Sequence, residues 1–266
     1  MKTLRSQWLR HFGDWAFGLH PIHLLILGYC SYIVVGWLVL CLPFARQEGG
    51  GNWLDHLFTA TSAVSTTGLV TVSTSDTYNW LGEVTVLLLI QFGGLGYMTL
   101  SSFVMLAVSG GLSPARERMG NTALSLPEGF QVRDFLRVIV VFTIAIELLG
   151  AAALYPVFRD HGDPAPIWQA VFHSVSAFCT AGFGLFNNSF ESYRGDVWLN
   201  VVISVLSFLG AIGFIVVNDV WRTIRHLKPQ ITLTSKIILA STFWITFVGT
   251  LLFFFDEPSV QSLPAG

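Results

Sequence analysis

The sequence predicts an all-α membrane protein. A unit of long helix, half-length helix, glycine-containing return and long helix occurs twice, and the first helix of a third unit follows. Three observations predict it: charge too scarce for a soluble surface, five apolar runs of bilayer length, and a self-similarity at an offset of 114 residues.

Only 11% of the 266 residues are charged and 53% are hydrophobic, with a mean hydropathy of +0.63. Soluble domains carry about 25% charge, so this composition excludes a soluble enzyme or a disordered tail. The net charge of −2 with no basic block excludes a nucleic-acid partner. Cys30, Cys41 and Cys179 cannot build a disulfide framework and read as packing residues.

A helix needs about 20 mainly apolar residues to cross the bilayer. Residues 1–21 form a cytoplasmic N-terminus. The first unit, 22–108, holds a span at 22–42, a short helix at 53–64, a return at 65–69 and a span at 80–108. A cytoplasmic loop at 109–134 leads to the second unit, 135–217, with a span at 135–158, a short helix at 167–178, a return at 179–183 and a span at 197–217. A loop at 218–235, a span at 236–255 and an outer end at 256–266 complete the chain. Each short run reaches only about 18 Å, roughly half the membrane.

Basic residues fix the sidedness. Lys2, Arg5, Arg10, Arg116, Arg118, Arg133, Arg137, Arg222, Arg225, Lys228 and Lys236 fall in the segments on one side, leaving Arg46, Arg159 and Arg194 for the other. By the positive-inside rule the protein is multi-pass in the cell membrane with its N-terminus cytoplasmic, and the short helices dip in from outside and return. The outer segments carry ten carboxylates, including Asp55, Asp76 and Glu83, which would raise the local cation concentration or serve as ordinary loop charges.

The repeat is visible residue by residue. Residues 58–69 (FTATSAVSTTGL) lie over 172–183 (FHSVSAFCTAGF), and 92–97 (FGGLGY) lie over 209–214 (LGAIGF). Irregular backbone at membrane depth is tolerated only where protein buries it or a water-filled cavity meets it. The returns Ser65-Thr66-Thr67-Gly68-Leu69 and Cys179-Thr180-Ala181-Gly182-Phe183 hold no charged side chain. Their backbone carbonyls can replace the hydration shell of a monovalent cation, and the C-terminal ends of the half-length helices favour positive charge. A monovalent cation, potassium if the resemblance given next holds, is placed at Thr66, Thr67, Gly68, Thr180, Ala181 and Gly182. No His, Cys and carboxylate cluster stands at transition-metal spacing. Gly93, Gly94, Gly96, Gly210 and Gly213 are assigned to close helix packing and bending behind the returns, with a bend expected in 80–108 at its glycine cluster.

These returns, together with the stretch LIQFGGLGYM at 89–98, resemble the Trk/Ktr/HKT superfamily of cation transporters, nearest its Ktr-type membrane subunit. The resemblance covers 22 to the end. It implies helix–pore-loop–helix repeats like potassium-channel subunits joined in one chain, and potassium uptake as the activity. It also implies a homodimer, and regulation by a cytoplasmic nucleotide-binding ring of partner subunits. Potassium is the transported ion, and no cofactor is expected in this chain. Gly68 and Gly182 match the family's filter glycines, which implies potassium over sodium. The family has four filters and this chain shows two, so the chain is expected to be the N-terminal part of a longer one. The alternative is a non-transporting partner or truncated product.

Glu147 lies deep in the run 135–158 and is a functional candidate or a hydrogen-bonded packing carboxyl. A polytopic membrane enzyme would need a partner acid, base or metal cluster that Glu147 lacks in the sequence, so the chain is read as a non-enzyme. His173 is read as capping or packing, and Asp55 and His56 as residues of the short helix's positive end or the outer surface.

Overall fold

The computed structural model describes residues 21–96, 132–225 and 230–256. The expected N-terminus, most of the loop at 109–134, the end of the run 80–108 and nearly all of 256–266 lie outside these residues.

The described residues are helical, with one isolated antiparallel bridge between Arg46 and Tyr78. The helices are α1 (Pro21–Leu40), α2 (Trp53–Val64), the single turn α3 (Thr74–Thr77), α4 (Trp80–Leu95), α5 (Val132–Asp160), α6 (Pro166–Phe178), α7 (Val197–Ala211), α8 (Phe214–Ile224) and α9 (Leu233–Asp256). Two helices, Leu136–Asp160 and Leu233–Asp256, are each long and apolar enough to cross a membrane. Phe243, Trp244, Ile245, Phe253 and Phe255 on α9 are exposed.

Local chemistry sets the helix ends. The Asn52 side chain accepts from Leu54 N–H and Asp55 N–H, while Asp55 accepts from Asn52 N–H at 2.9 Å, a reciprocal capping box that starts α2. The Asn79 side chain caps α4, accepting from Leu81 N–H and Gly82 N–H. Pro166 opens α6 at a position where a missing N–H costs nothing.

Gly96, with φ +77°, ends α4. Gly213, with φ +87°, separates α7 from α8, whose axes meet at 94°. The run 197–217, expected as one span, is therefore divided at Gly213. The physical reason is a backbone conformation that glycine alone adopts freely. Asp219 on α8 then accepts from Thr232 N–H at 2.7 Å and Thr232 hydroxyl at 2.8 Å, which ties α8 to the start of α9.

The core sits where the two short helices meet the long ones. Leu40, Ala60, Val64, Val86, Ile90, Phe172 and Phe178 form one buried cluster. Leu154, Phe158, Ala170, Leu199 and Leu206 form a second, between α5, α6 and α7. His56 stands in the first turn of α2, as the helix-end alternative has it, but it is fully buried and not at the outer surface, with Nδ1 3.0 Å from the Tyr78 hydroxyl.

Candidate functional site

The turns that follow α2 and α6 share one backbone geometry. After α2, Thr66 N–H donates to Ala63 C=O at 3.2 Å and Thr67 N–H donates to Ser62 C=O at 3.0 Å. After α6, Thr180 N–H donates to Ala177 C=O at 3.0 Å and Ala181 N–H donates to Ser176 C=O at 2.8 Å. This bond pair defines a Schellman termination, whose left-handed residue is usually glycine. Here it is threonine both times, Thr66 at φ +50° and Thr180 at φ +51°. A β-branched residue in that region is strained, and such strain persists only where the surroundings over-determine it.

Two residues further on, Gly68 (φ +78°) and Gly182 (φ +70°) hold a second positive φ. The turns meet at these glycines. A Cβ on Gly68 would fall 2.5 Å from the Ala181 carbonyl oxygen and 3.0 Å from Gly182 Cα. A Cβ on Gly182 would stand at an ordinary 3.4 Å from Gly68 Cα.

The remaining members of the returns divide by burial. Ser65, Thr67 and Leu69 are exposed, and the Ser65 and Thr67 hydroxyls lie 2.7 Å apart. Cys179, Ala181 and Phe183 are buried, and Thr180 and Gly182 are exposed. The Phe183 carbonyl accepts from the Ser176 hydroxyl at 2.6 Å.

The glycines of the long helices sort into two roles. Gly93 and Gly210 let α4 and α7 lie directly on the ends of the short helices: a Cβ would fall 2.1 Å from Val64 O and 1.7 Å from Phe178 O. Gly94 rests on Cys179, whose Sγ would be 2.6 Å from a Cβ. Gly96 and Gly213 meet no such obstruction and serve the chain's direction. Thr66, Thr180, Cys179, Gly94 and Gly210 border a cavity of about 160 Å³ beneath the turns, roomy enough for several waters.

Glu147 is buried on α5 with a partner that spacing could not show. Gln91 Nε2 donates to its Oε2 at 3.2 Å, and the Cys179 thiol points at Gln91 Oε1 at 3.8 Å. The carboxyl, the amide and the second turn thus form one polar chain behind the meeting point. Ser174 also donates to the Glu147 carbonyl at 2.7 Å, fixing α6 to α5.

Three of the outer carboxylates meet partners that the sequence did not single out. Trp168 Nε1 donates to Glu83 at 2.6 Å, linking α6 to α4. Asn187 bonds the hydroxyl of Ser73 and donates to Asp76 at 2.8 Å, so the loop beyond the second turn is tied to α3. The Thr71 hydroxyl donates to Asp55 at 2.9 Å. Among the described residues there is no group of three or more His, Cys, Asp and Glu able to hold a metal.

The cation transport protein family TrkH matches residues 40–255. The chain is 36% identical over 252 residues to the potassium/sodium uptake protein NtpJ of Enterococcus hirae, covering 93% of this chain and 55% of that protein. It is 32% identical over 240 residues to the Ktr system potassium uptake protein B of Bacillus subtilis, covering 90% and 53%. It is 34% identical over 245 residues to the protein of the same name in Vibrio alginolyticus, covering 92% and 53%. The chain spans about half the length of these curated relatives.

Proposed function

The chain belongs to the TrkH family of cation transport proteins, and from that premise we propose that it takes part in potassium uptake, with the turns after α2 and α6 as two pore-loop segments of the ion path. The observation that carries this reading is the meeting of two turns with one geometry at Gly68 and Gly182. Positive φ at Thr66 and Gly68, and again at Thr180 and Gly182, alternates the backbone so that carbonyls can be presented to one axis. Carbonyl oxygens held in this way replace the water of a monovalent cation. The ends of α2 and α6 direct their partial negative charge at the same place.

The two helix–turn–helix units act as tandem pore-loop repeats, and Gly93 and Gly210 seat the long helices behind each turn. The protein works in the cell membrane with its N-terminus cytoplasmic, as its basic residues dictate. A dimeric membrane subunit and a cytoplasmic nucleotide-binding ring complete the assembly.

Expression in a bacterial host lacking its own potassium uptake tests the reading. Growth at limiting potassium and rubidium tracer uptake are expected with the full-length protein and reduced in its Gly68→Ser variant. Uptake and cation preference unchanged by Gly68→Ser would contradict the assignment.

A further inference from the structure

Each short helix holds the strand that leaves its own turn, three residues past the glycine, and it does so by different chemistry in the two units. After the first turn the Thr71 side chain donates to Asp55 at the start of α2, on the solvent side. After the second, the equivalent residue is Leu185, whose backbone N–H donates to His173 Nε2 at 3.2 Å. An amide N–H can only donate, so Nε2 accepts and the ring's proton sits on Nδ1. That nitrogen lies 2.9 Å from the Gln169 carbonyl and donates to it. One turn along α6, Ser176 donates to the Phe183 carbonyl. His173 and Ser176 share a helix face at a spacing of three, and both are buried.

The His173 ring is clamped. It stacks on Phe186 with centroids 5.0 Å apart and planes at 8°, and Phe158 and Phe190 lie against it at 5.5 and 4.8 Å. Among the described residues the first unit shows no such clamp. Its position equivalent to Ser176 is Ser62, whose buried hydroxyl has no hydrogen-bond partner among the described residues, and Leu69 there is 62% exposed where Phe183 is 3% exposed.

We infer that His173, with Ser176, is a positioning residue of the second turn, which fixes the strand at Phe183 and Leu185 and thereby the carbonyls around Gly182. Its consequence for ion choice rests on the ion-path reading above; the hydrogen bond to Leu185 does not. The two turns are then unequal: the second is locked from inside by a neutral ring, and the first is tied at the surface by a carboxylate.

Two variants and two readouts test this. His173→Phe keeps an aromatic ring and removes the acceptor, while His173→Gln can return an acceptor oxygen. Hydrogen exchange of residues 183–186 in the chain held in lipid nanodiscs is expected to rise about tenfold in His173→Phe, the scale of one buried hydrogen bond, and to recover in His173→Gln. Sodium competition against rubidium uptake is expected to strengthen several-fold in His173→Phe and to recover likewise. Ser176→Ala is expected to shift both readouts in the same direction as His173→Phe. Exchange at the wild-type rate in His173→Phe, or equally fast exchange in both His173 variants, overturns the hydrogen bond's role. Faster exchange with unaltered sodium competition overturns the positioning role. A full-length wild-type protein that moves neither cation contradicts the ion-path reading, and exchange alone then decides whether His173 holds the strand.

Discussion

Gly68 and Gly182 abut backbone to backbone, with room for a side-chain atom on one and not on the other: a Cβ on Gly68 would lie 2.5 Å from the Ala181 oxygen, while one on Gly182 would lie 3.4 Å from Gly68 Cα. Both residues carry a positive φ, which costs a substituted side chain about 1–2 kcal/mol. Only Gly68 adds a clash with a carbonyl. Gly68→Ala should therefore impair rubidium uptake more than Gly182→Ala does. Equal effects of the two would show that φ alone matters.

Gly93 and Gly210 have no room at all. A Cβ at either would fall within 2.1 Å of a backbone carbonyl oxygen, at Val64 or Phe178. Relief requires the long helix to move off the short one, and overpacking of this kind costs about 1–3 kcal/mol or more. Gly93→Ala and Gly210→Ala should each lower the thermal midpoint of the purified chain by several degrees. Gly213→Ala should not act through contact, since nothing stands near its Cβ. Its effect should come through φ, favouring continuity between α7 and α8, which a distance measured between labels on the two helices would read.

Asp55 supplies a pH dependence with a definite sign. The Asn52 N–H and then the Thr71 hydroxyl hold its carboxyl below the usual carboxylate value. A carboxyl lowered in this way stabilises the fold above its unfolded value of about 3.9, and the contribution is lost as pH falls through the lowered value. Protection of the segment 69–72, taken relative to the intrinsic exchange rate at each pH, should be high at neutral pH and fall only in acid. Asp55→Asn, which cannot titrate, should remove most of that pH dependence, as exchange profiles between pH 3 and 7 would record.

Glu147 and Gln91 should be unequal in their tolerance of change. Removing the Gln91 amide strands a buried carboxyl that has no second partner at Oε1 among the described residues. A stranded buried polar group costs about 1–3 kcal/mol. Gln91→Leu should therefore lower the thermal midpoint more than Glu147→Gln, which keeps a polar group of the same shape beside Gln91.

The matched turns could be read from the sequence because their determinants are local. Ser-Ala at 62–63 and 176–177, the threonines at 66 and 180, and the glycines at 68 and 182 sit at one offset and specify one backbone path. The bend at Gly213 was legible, since Gly213 is among the glycines assigned to packing and bending and Gly96 stands at the matching place in the first unit. Its sharpness was not, because the apolar sequence through 197–217 is unbroken. The His173 contact was not legible, because its partner is a backbone amide, and any residue at 185 except proline would supply one. Nor was the Gln91–Glu147 pair, whose members come from different units with no spacing rule between them. The burial of His56 beneath Tyr78 depends likewise on a fold-back across 22 residues.

The proposed ion path runs along the backbone where the two turns meet. Sodium competition against rubidium uptake, compared between the wild-type chain and Gly68→Ser at matched protein amounts, tests it most directly. The full-length wild-type protein is expected to discriminate against sodium, and Gly68→Ser to lose much of this discrimination while still reaching the membrane. An unchanged sodium-to-rubidium ratio in Gly68→Ser would contradict it.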